Sequence, residues 1–214
     1  MKIYFLRHGE AEHNVSGTFS IEDIDDTGLT ESGVKEVIAA ADVLAELGIT
    51  RIYSSDYLRA KQTTAIVNEK LKLDSKNIKY DVRLREIFVG DLRGMIIKNS
   101  PKDYLDNPHK YNSENLEDIY NRVRSIIYDI RTTEDRNAVI LLSGHDVANS
   151  VLMYCACEGT DKPFDEEKCV QVYFERLTNA SITMVDMNIK QERKVQLIHG
   201  GKGKDPFDDK GGTE

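Results

Sequence analysis

The stretch that decides the fold is Lys2-Ile3-Tyr4-Phe5-Leu6-Arg7-His8-Gly9-Glu10. Its apolar half predicts a strand over residues 2–6, and the strand delivers Arg7 and His8 to one edge of a sheet. We expect Gly9 to let the backbone turn tightly there. In open α/β sheets ligands bind at the carboxyl edge. An arginine beside a histidine favours an oxyanion, and phosphate above all, because the guanidinium matches phosphate with paired donors.

Strand and helix patterns alternate along the rest of the chain. Further strands are predicted at 49–54, 78–84, 138–142, 181–187 and 194–198, and helices at 30–47, 55–71, 116–132 and after His145 through Val151 and Leu152. Thr30 is the expected N-cap of the first helix, and Ser55 or Asp56 that of the second. This alternation predicts a largely parallel sheet with helices on both faces.

Two segments lack a regular pattern. Residues 9–28 are polar and predict a long loop, and residues 88–115 predict a loop-and-helix insertion over the sheet edge. The Gly-, Lys- and Asp-rich stretch over 200–214 predicts a disordered tail. We therefore expect one domain over residues 1–199 that carries the insertion.

Composition excludes several functional classes. The 214 residues carry a formal charge of −8, which argues against a general nucleic-acid binder but allows a locally positive pocket. Apolar runs reach only strand length, and the N-terminal sequence has no pattern of a signal peptide, so we expect no membrane span and a cytoplasmic location. Cys155, Cys157 and Cys169 fit buried free thiols in a reducing compartment; Cys155 and Cys157 as half of a metal site is the weaker interpretation.

Three predicted strand ends carry reactive groups: Arg7 and His8, the segment from Ser54 to Arg59, and His145. Parallel strands bring their carboxyl ends to one edge, so we expect these groups to converge. His8 is then the candidate nucleophile toward phosphorus. Arg7 and Arg59 would bind the non-bridging oxygens, and His145 would donate to another oxygen and stay positive in an anionic pocket.

Two carboxylates are candidates for the proton donor. Glu86 would protonate the leaving oxygen and then take a proton from the attacking water. Asp146 is its rival because it directly follows His145, although a simple helix-capping role is the favoured interpretation of that side chain.

These residues resemble the histidine phosphatase superfamily, which includes the cofactor-dependent phosphoglycerate mutases. The matching segments are Leu6-Arg7-His8-Gly9-Glu10 with Asn14, Leu29–Gly33, Tyr53–Thr63, the Leu-x-Glu-x-x-x-Gly run over 84–90, the apolar strand before His145, and Asn179–Thr183. The resemblance implies a three-layer α/β/α sandwich with a mostly parallel six-stranded sheet, one antiparallel strand and a phosphohistidine on His8. It implies neither metal nor cofactor, and it adds Asn14 and Ser20 as substrate-binding residues. Asp146 is expected to be a third substrate-binding residue.

The departures from the mutases favour hydrolysis. Val89 stands where mutases carry a tyrosine, and the chain has no arginine between Arg93 and Arg122, where mutases hold the substrate carboxylate. The leading prediction is a metal-independent phosphomonoesterase that acts on a small phosphorylated metabolite. A phosphoglycerate mutase and a non-catalytic phospho-ligand binding module remain alternatives. A metal site from His8, Glu10, Glu12 and His13 is less favoured than exposed loop charges. The oligomeric state stays open, with a homodimer among the options.

Overall fold

The computed structural model describes residues 1–21, 27–104, 106–174, 177–189 and 192–201. Within that part of the chain one sheet has six strands in the order β3-β2-β4-β1-β5-β6. The strands are β1 (Lys2–Arg7), β2 (Arg51–Ser54), β3 (Ile78–Tyr80), β4 (Val139–Gly144), β5 (Ile182–Asp186) and β6 (Gln196–His199). Strand β5 runs antiparallel to its neighbours and the other five are parallel, as predicted.

Helices cover both faces of the sheet. They are α1 (Glu12–Ser16), α2 (Glu31–Ala45), α3 (Leu58–Leu71), α4 (Leu116–Thr133), α5 (Asp146–Glu158) and α6 (Glu166–Tyr173). Helices α2 and α3 pack on one face, and α4, α5 and α6 pack on the other. The three-layer α/β/α sandwich is therefore confirmed.

The central strand β1 shows why two layers of helices are needed. Ile3 and Phe5 lie in the core under α4 and α5, whereas Tyr4 and Leu6 lie in the core under α2 and α3. Successive strand residues point to opposite faces, so an uninterrupted apolar run must be covered twice. Strand β1 also pairs in parallel with β4, with Arg7 opposite Gly144. That register brings His8 and His145 to the same edge of the sheet.

The structure corrects four local predictions. The third strand ends at Tyr80, because the side chain of Asp81 accepts from Arg83 N at 2.9 Å and caps a 3₁₀ turn over Val82–Leu84. The predicted loop over 9–28 contains α1, and α6 was not predicted at all. Helix α3 begins after Tyr57, which makes no side-chain cap hydrogen bond, rather than at Ser55 or Asp56.

Other boundaries agree well. Thr30 caps α2, and its hydroxyl accepts from Gly33 N at 3.0 Å. The helix predicted over 116–132 is observed at Leu116–Thr133. The three cysteines are free thiols. Most of the predicted tail, residues 202–214, lies outside the described residues.

The insertion over 88–115 is built from three short 3₁₀ helices, at Gly90–Leu92, Ile97–Asn99 and Pro108–Tyr111. It has a small core of its own around Val89, Leu92 and Tyr104, with Phe19 packed against it. The two segments also hydrogen-bond: Phe19 N donates to Met95 O at 2.9 Å, and Ile97 N donates to Gly17 O at 2.9 Å. The insertion and the segment after β1 therefore form one unit over the sheet edge.

Across the described ranges, none of the helices combines sufficient length with sufficient apolar character to traverse a membrane.

Candidate active site

His8 follows β1 and is almost fully buried, with 2% of its surface exposed. Its Nδ1 lies 2.7 Å from the carbonyl oxygen of Gly9. A carbonyl only accepts, so Nδ1 must donate, and Nε2 is left with the lone pair in the neutral ring. His8 therefore presents a neutral imidazole nitrogen in the state that a nucleophile requires.

Gly9 is required by close packing. A Cβ at this position would lie 2.5 Å from the carbonyl oxygen of Gly33 and 2.7 Å from a methyl carbon of Val37, both on α2. The expected tight turn is not the reason, because Gly9 does not adopt a positive φ. The contact holds the segment after His8 against the N-terminal turn of α2.

Arg7 lies at the edge of the pocket. Its Nη1 donates to the carbonyl oxygen of Leu177 and lies 3.6 Å from Oδ2 of Asp146. Its Nε is buried and has no hydrogen-bond partner among the described residues. The guanidinium is thus held in place by two groups and retains a donor for a bound anion.

Arg59 comes from the first turn of α3, as predicted, and is 1% exposed. Its Nη1 donates to Ser20 Oγ at 3.2 Å and to Thr27 Oγ1 at 3.4 Å. Its guanidinium also lies over the ring of Tyr57, 4.9 Å from the centroid. The structure therefore places Ser20, expected from the resemblance alone, directly against Arg59.

His145 follows β4 and is fully buried. Its ring centroid lies 5.2 Å from that of His8, and its Nε2 lies 2.8 Å from Ser55 Oγ. Tyr57 packs edge-on against it at 5.4 Å. The predicted convergence of His8, Arg59 and His145 is thus what the structure shows.

Glu86 reaches the site from the segment after β3. Its Oε1 accepts from Ala148 N at 3.0 Å, and its Oε2 accepts from Val147 N at 3.2 Å. These N–H groups belong to the first turn of α5, directly after His145. Both oxygens are therefore bound by main-chain donors, and the carboxylate has one orientation.

Asp146 does not supply the cap that was the favoured interpretation. It is the first residue of α5, whose N-cap is His145, and Glu86 binds the N–H groups of the first turn. The carboxylate of Asp146 instead lies 3.6 Å from Arg7.

Asn14 supports the site from α1. Its Oδ1 accepts from Ala11 N at 3.0 Å and from Asn179 Nδ2 at 3.2 Å. Asn179 Nδ2 also donates to the carbonyl oxygen of His8 at 3.1 Å. Asn14 is therefore linked to the nucleophile segment through Asn179.

Burial and neighbouring cations control the charge of the pocket. Burial, then Arg59, lower the pKa of His8 well below its ordinary value of 6.5, and the Gly9 hydrogen bond opposes this in part. Burial, then Arg59 and His8, lower the pKa of His145 in the same way. Both imidazoles are therefore neutral at pH 7 before an anion binds, and the expected positive charge on His145 requires the bound phosphate.

Sequence reasoning missed three contacts of the site. His13 was weighed only as a loop charge or metal ligand, yet its ring lies 5.7 Å from that of His8. Ser55 was expected only as a helix cap, and Tyr57 stood in a matching motif without an assigned role, yet both contact His145. Their position just after β2 was the available signal, because that strand end lies at the same edge.

A metal ion has no evident binding place in the described ranges. They contain no group of three or more His, Cys, Asp or Glu side chains arranged as metal ligands.

Comparisons with known proteins agree with this geometry. Residues 3–198 match the model of the histidine phosphatase superfamily, branch 1. Phosphoserine phosphatase 1 of Hydrogenobacter thermophilus is 31% identical over 171 residues, which cover 75% of this chain and 78% of that protein. A 2,3-bisphosphoglycerate-dependent phosphoglycerate mutase of Thermoplasma acidophilum is 40% identical over 95 residues, which cover 44% of this chain and 46% of the mutase.

Among solved structures, the mycobacterial glucosyl-3-phosphoglycerate phosphatase with VO3 aligns with a TM-score of 0.74 at 22% identity. The alignment covers 94% of this chain and 99% of that one, so the fold is shared over nearly the whole length. With a family model matched from residue 3 to residue 198 and the fold in common, the chain belongs to branch 1 of the histidine phosphatase superfamily and is a phosphatase of that superfamily.

Proposed function

We propose that the protein hydrolyses small phosphomonoesters without a metal ion, through a phosphohistidine formed on Nε2 of His8. The observation that carries the proposal is the hydrogen bond from His8 Nδ1 to Gly9 O, because it leaves Nε2 unprotonated inside a pocket of cations. In the first step Nε2 forms a bond to phosphorus as the bond to the ester oxygen breaks. The leaving oxygen takes a proton from Glu86.

Water completes the cycle. Glu86 takes a proton from the attacking water, whose oxygen bonds to phosphorus while the bond from phosphorus to His8 breaks. Arg7 and Arg59 balance the charge on the phosphoryl oxygens in both steps. The products are an alcohol and inorganic phosphate, and His8 returns to its starting state.

A phosphoglycerate mutase is the second candidate, and the similarity to the Thermoplasma mutase is the observation that favours it. A mutase must keep the organic intermediate bound until the return transfer of the phosphoryl group is complete. Val89 is buried in the core of the insertion, and the only arginine at the start of that region, Arg93, donates to Gly90 O at 2.9 Å. These features support release of the intermediate and transfer to water.

Several substrates suit the proposed reaction. Sugar phosphates, phosphoserine and nucleotide-like phosphates all remain open as small phosphorylated metabolites. A cytosolic location is part of the proposal, because three free thiols suit a reducing compartment.

The test compares wild type with His8→Asn on a panel of small phosphomonoesters with EDTA present. Asparagine retains a donor near the position of Nδ1, so the bond to Gly9 is kept while the attacking nitrogen is removed. We expect turnover and an acid-labile phosphoenzyme in wild type, and neither in the variant. Turnover that EDTA abolishes, or that survives in His8→Asn, would contradict the proposal. Interconversion of phosphoglycerates in a primed assay without hydrolysis would identify the mutase, and phosphate binding without turnover would identify a binding module.

A further inference from the structure

His13 lies in α1, a helix of five residues that follows the nucleophile segment. Its ring centroid is 5.7 Å from that of His8, which also lies 5.2 Å from His145. His8 thus has an imidazole neighbour on each of two chain segments. His145 is the expected donor to one phosphoryl oxygen, whereas His13 has no role in the mechanism proposed above.

The tautomer of His13 follows from its hydrogen bonds. Asn14 Oδ1 accepts from Ala11 N at 3.0 Å, and a main-chain N–H only donates, so the amide orientation of Asn14 is fixed. Its Nδ2 group must then donate to His13 Nε2, 3.1 Å away. His13 Nε2 is an acceptor, and the proton of the neutral ring lies on Nδ1.

That Nδ1–H group is buried. It has no hydrogen-bond partner among the described residues. A buried donor without a partner loses its hydration and gains no hydrogen bond in return, which destabilises the protein. Among the described residues, Arg7 Nε and His145 Nδ1 share this state.

The charge state of His13 agrees with its tautomer. Burial, then Arg59 and Arg7, lower its pKa to about 3. A protonated ring would also place an Nε2–H against the amide of Asn14. His13 therefore remains a neutral donor while Arg7 and Arg59 supply the positive charge of the pocket.

We propose that His13 is a further catalytic residue, which binds an oxygen of the transferred phosphoryl group through its Nδ1–H. The inference rests on the proposed function, because it takes the site around His8 as the phosphate site. The step is a hydrogen bond only, and no proton is transferred. A neutral donor adds affinity for the oxygen and does not compete electrostatically with the protonation of His145.

The test uses inorganic phosphate as the probe, with calorimetry for affinity, and turnover of para-nitrophenyl phosphate for rate. Asparagine reproduces a donor at the Nδ1 position, glutamine reproduces one at the Nε2 position, and phenylalanine keeps a ring without donors. Val15→Ala is the matched control, because Val15 lies on the same helix and is 65% exposed.

We expect His13→Phe and His13→Gln to bind phosphate about 10- to 100-fold more weakly, the range for a hydrogen bond to a charged group. His13→Asn should stay within about fivefold of wild type, and Val15→Ala should be unchanged. Equal binding by His13→Phe and wild type would overturn the proposal. So would an equal loss in His13→Asn and His13→Phe with lower melting temperatures in both, since that pattern belongs to a structural role. Because phosphate binding is measured apart from turnover, an enzyme without hydrolysis would overturn the proposed function and leave the test of His13 intact.

Discussion

The guanidinium of Arg122, on α4, donates to the main-chain carbonyl oxygen of Glu86 at 3.0 Å. The same side chain donates to the carbonyl oxygens of Arg83 and Arg85, each at 2.8 Å, and forms an ion pair with Glu114. Glu114 in turn accepts from Phe88 N at 2.9 Å. One half-buried arginine therefore fixes the backbone on both sides of the candidate proton donor.

Replacing Arg122 should disturb the reaction through Glu86. Lysine has no planar fork and leaves several of these carbonyl oxygens without a donor. We expect Arg122→Lys to lower kcat by about 100-fold, the cost of a displacement near 1 Å. Arg131→Lys on the same helix should behave as wild type, because Arg131 is exposed.

A double-mutant cycle separates positioning from general loss of stability. If Arg122 acts through Glu86, the combined Arg122→Lys and Glu86→Gln variant should be little slower than Glu86→Gln alone. Additive losses in kcat would contradict this link.

The identity of the proton donor can be read from the leaving group. Glu86→Gln should slow hydrolysis of an alkyl phosphate by about 10²- to 10⁴-fold and that of para-nitrophenyl phosphate much less, because the aryl oxygen needs little protonation. Asp146→Asn should slow both substrates to a similar degree, since its carboxylate contacts Arg7. A leaving-group dependence confined to Asp146→Asn would assign the proton to Asp146 instead.

Phosphate binding should take up protons near neutral pH. Burial and the charge of Arg59 lower the pKa of His145, whereas a bound phosphate dianion favours the protonated ring. Calorimetry in buffers with different ionisation enthalpies measures this uptake directly. Binding heats that do not change between buffers would contradict it.

Unliganded protein should lose stability as the pH falls below about 6.5. Below that pH the histidines of the unfolded chain bind protons, whereas buried His8, His13 and His145 of the folded protein stay neutral. The free energy of unfolding therefore rises with pH. Each such histidine contributes up to about 1.4 kcal/mol per pH unit. For His13 the window extends from 6.5 down to about 3.

The check is urea unfolding at several pH values between about 4 and 8. This range covers both the region below pH 6.5, where the free energy of unfolding should rise with pH, and the region above it. His13→Asn should show a shallower slope than wild type. Val15→Ala should keep the wild-type slope. A stability that is flat below pH 6.5 in wild type would refute the assignment of neutral histidines.

The fold was predictable where apolar patterns were strong. The apolar runs over residues 2–6 and before His145 predicted strands, because burial on both faces leaves a continuous apolar pattern. Helix α1 left no such pattern, since none of its five residues is buried, and α6 buries only Cys169 and Tyr173. Short helices that hardly contribute to the core cannot be found from hydrophobic periodicity.

The candidate site was predictable where its residues directly follow strands. Residues at strand ends, such as Arg7 and His145, follow from the rule that parallel strands meet at one edge. Arg122 escaped prediction because it acts through main-chain carbonyl oxygens of a distant segment, and such contacts require no particular partner residue. The contact of His13 with His8 was not predicted, because it depends on α1, a short helix within a segment whose polar sequence predicts a loop.

The parallel pairing of β1 with β4 has a consequence for how the molecule acquires activity. Residues from distant parts of the chain must meet in register before His8 faces His145. Contacts between such distant segments form late when a chain refolds, since long loops must close first. Return of phosphatase turnover after dilution from denaturant will therefore report the last long-range step of refolding, whereas helix signals will recover earlier.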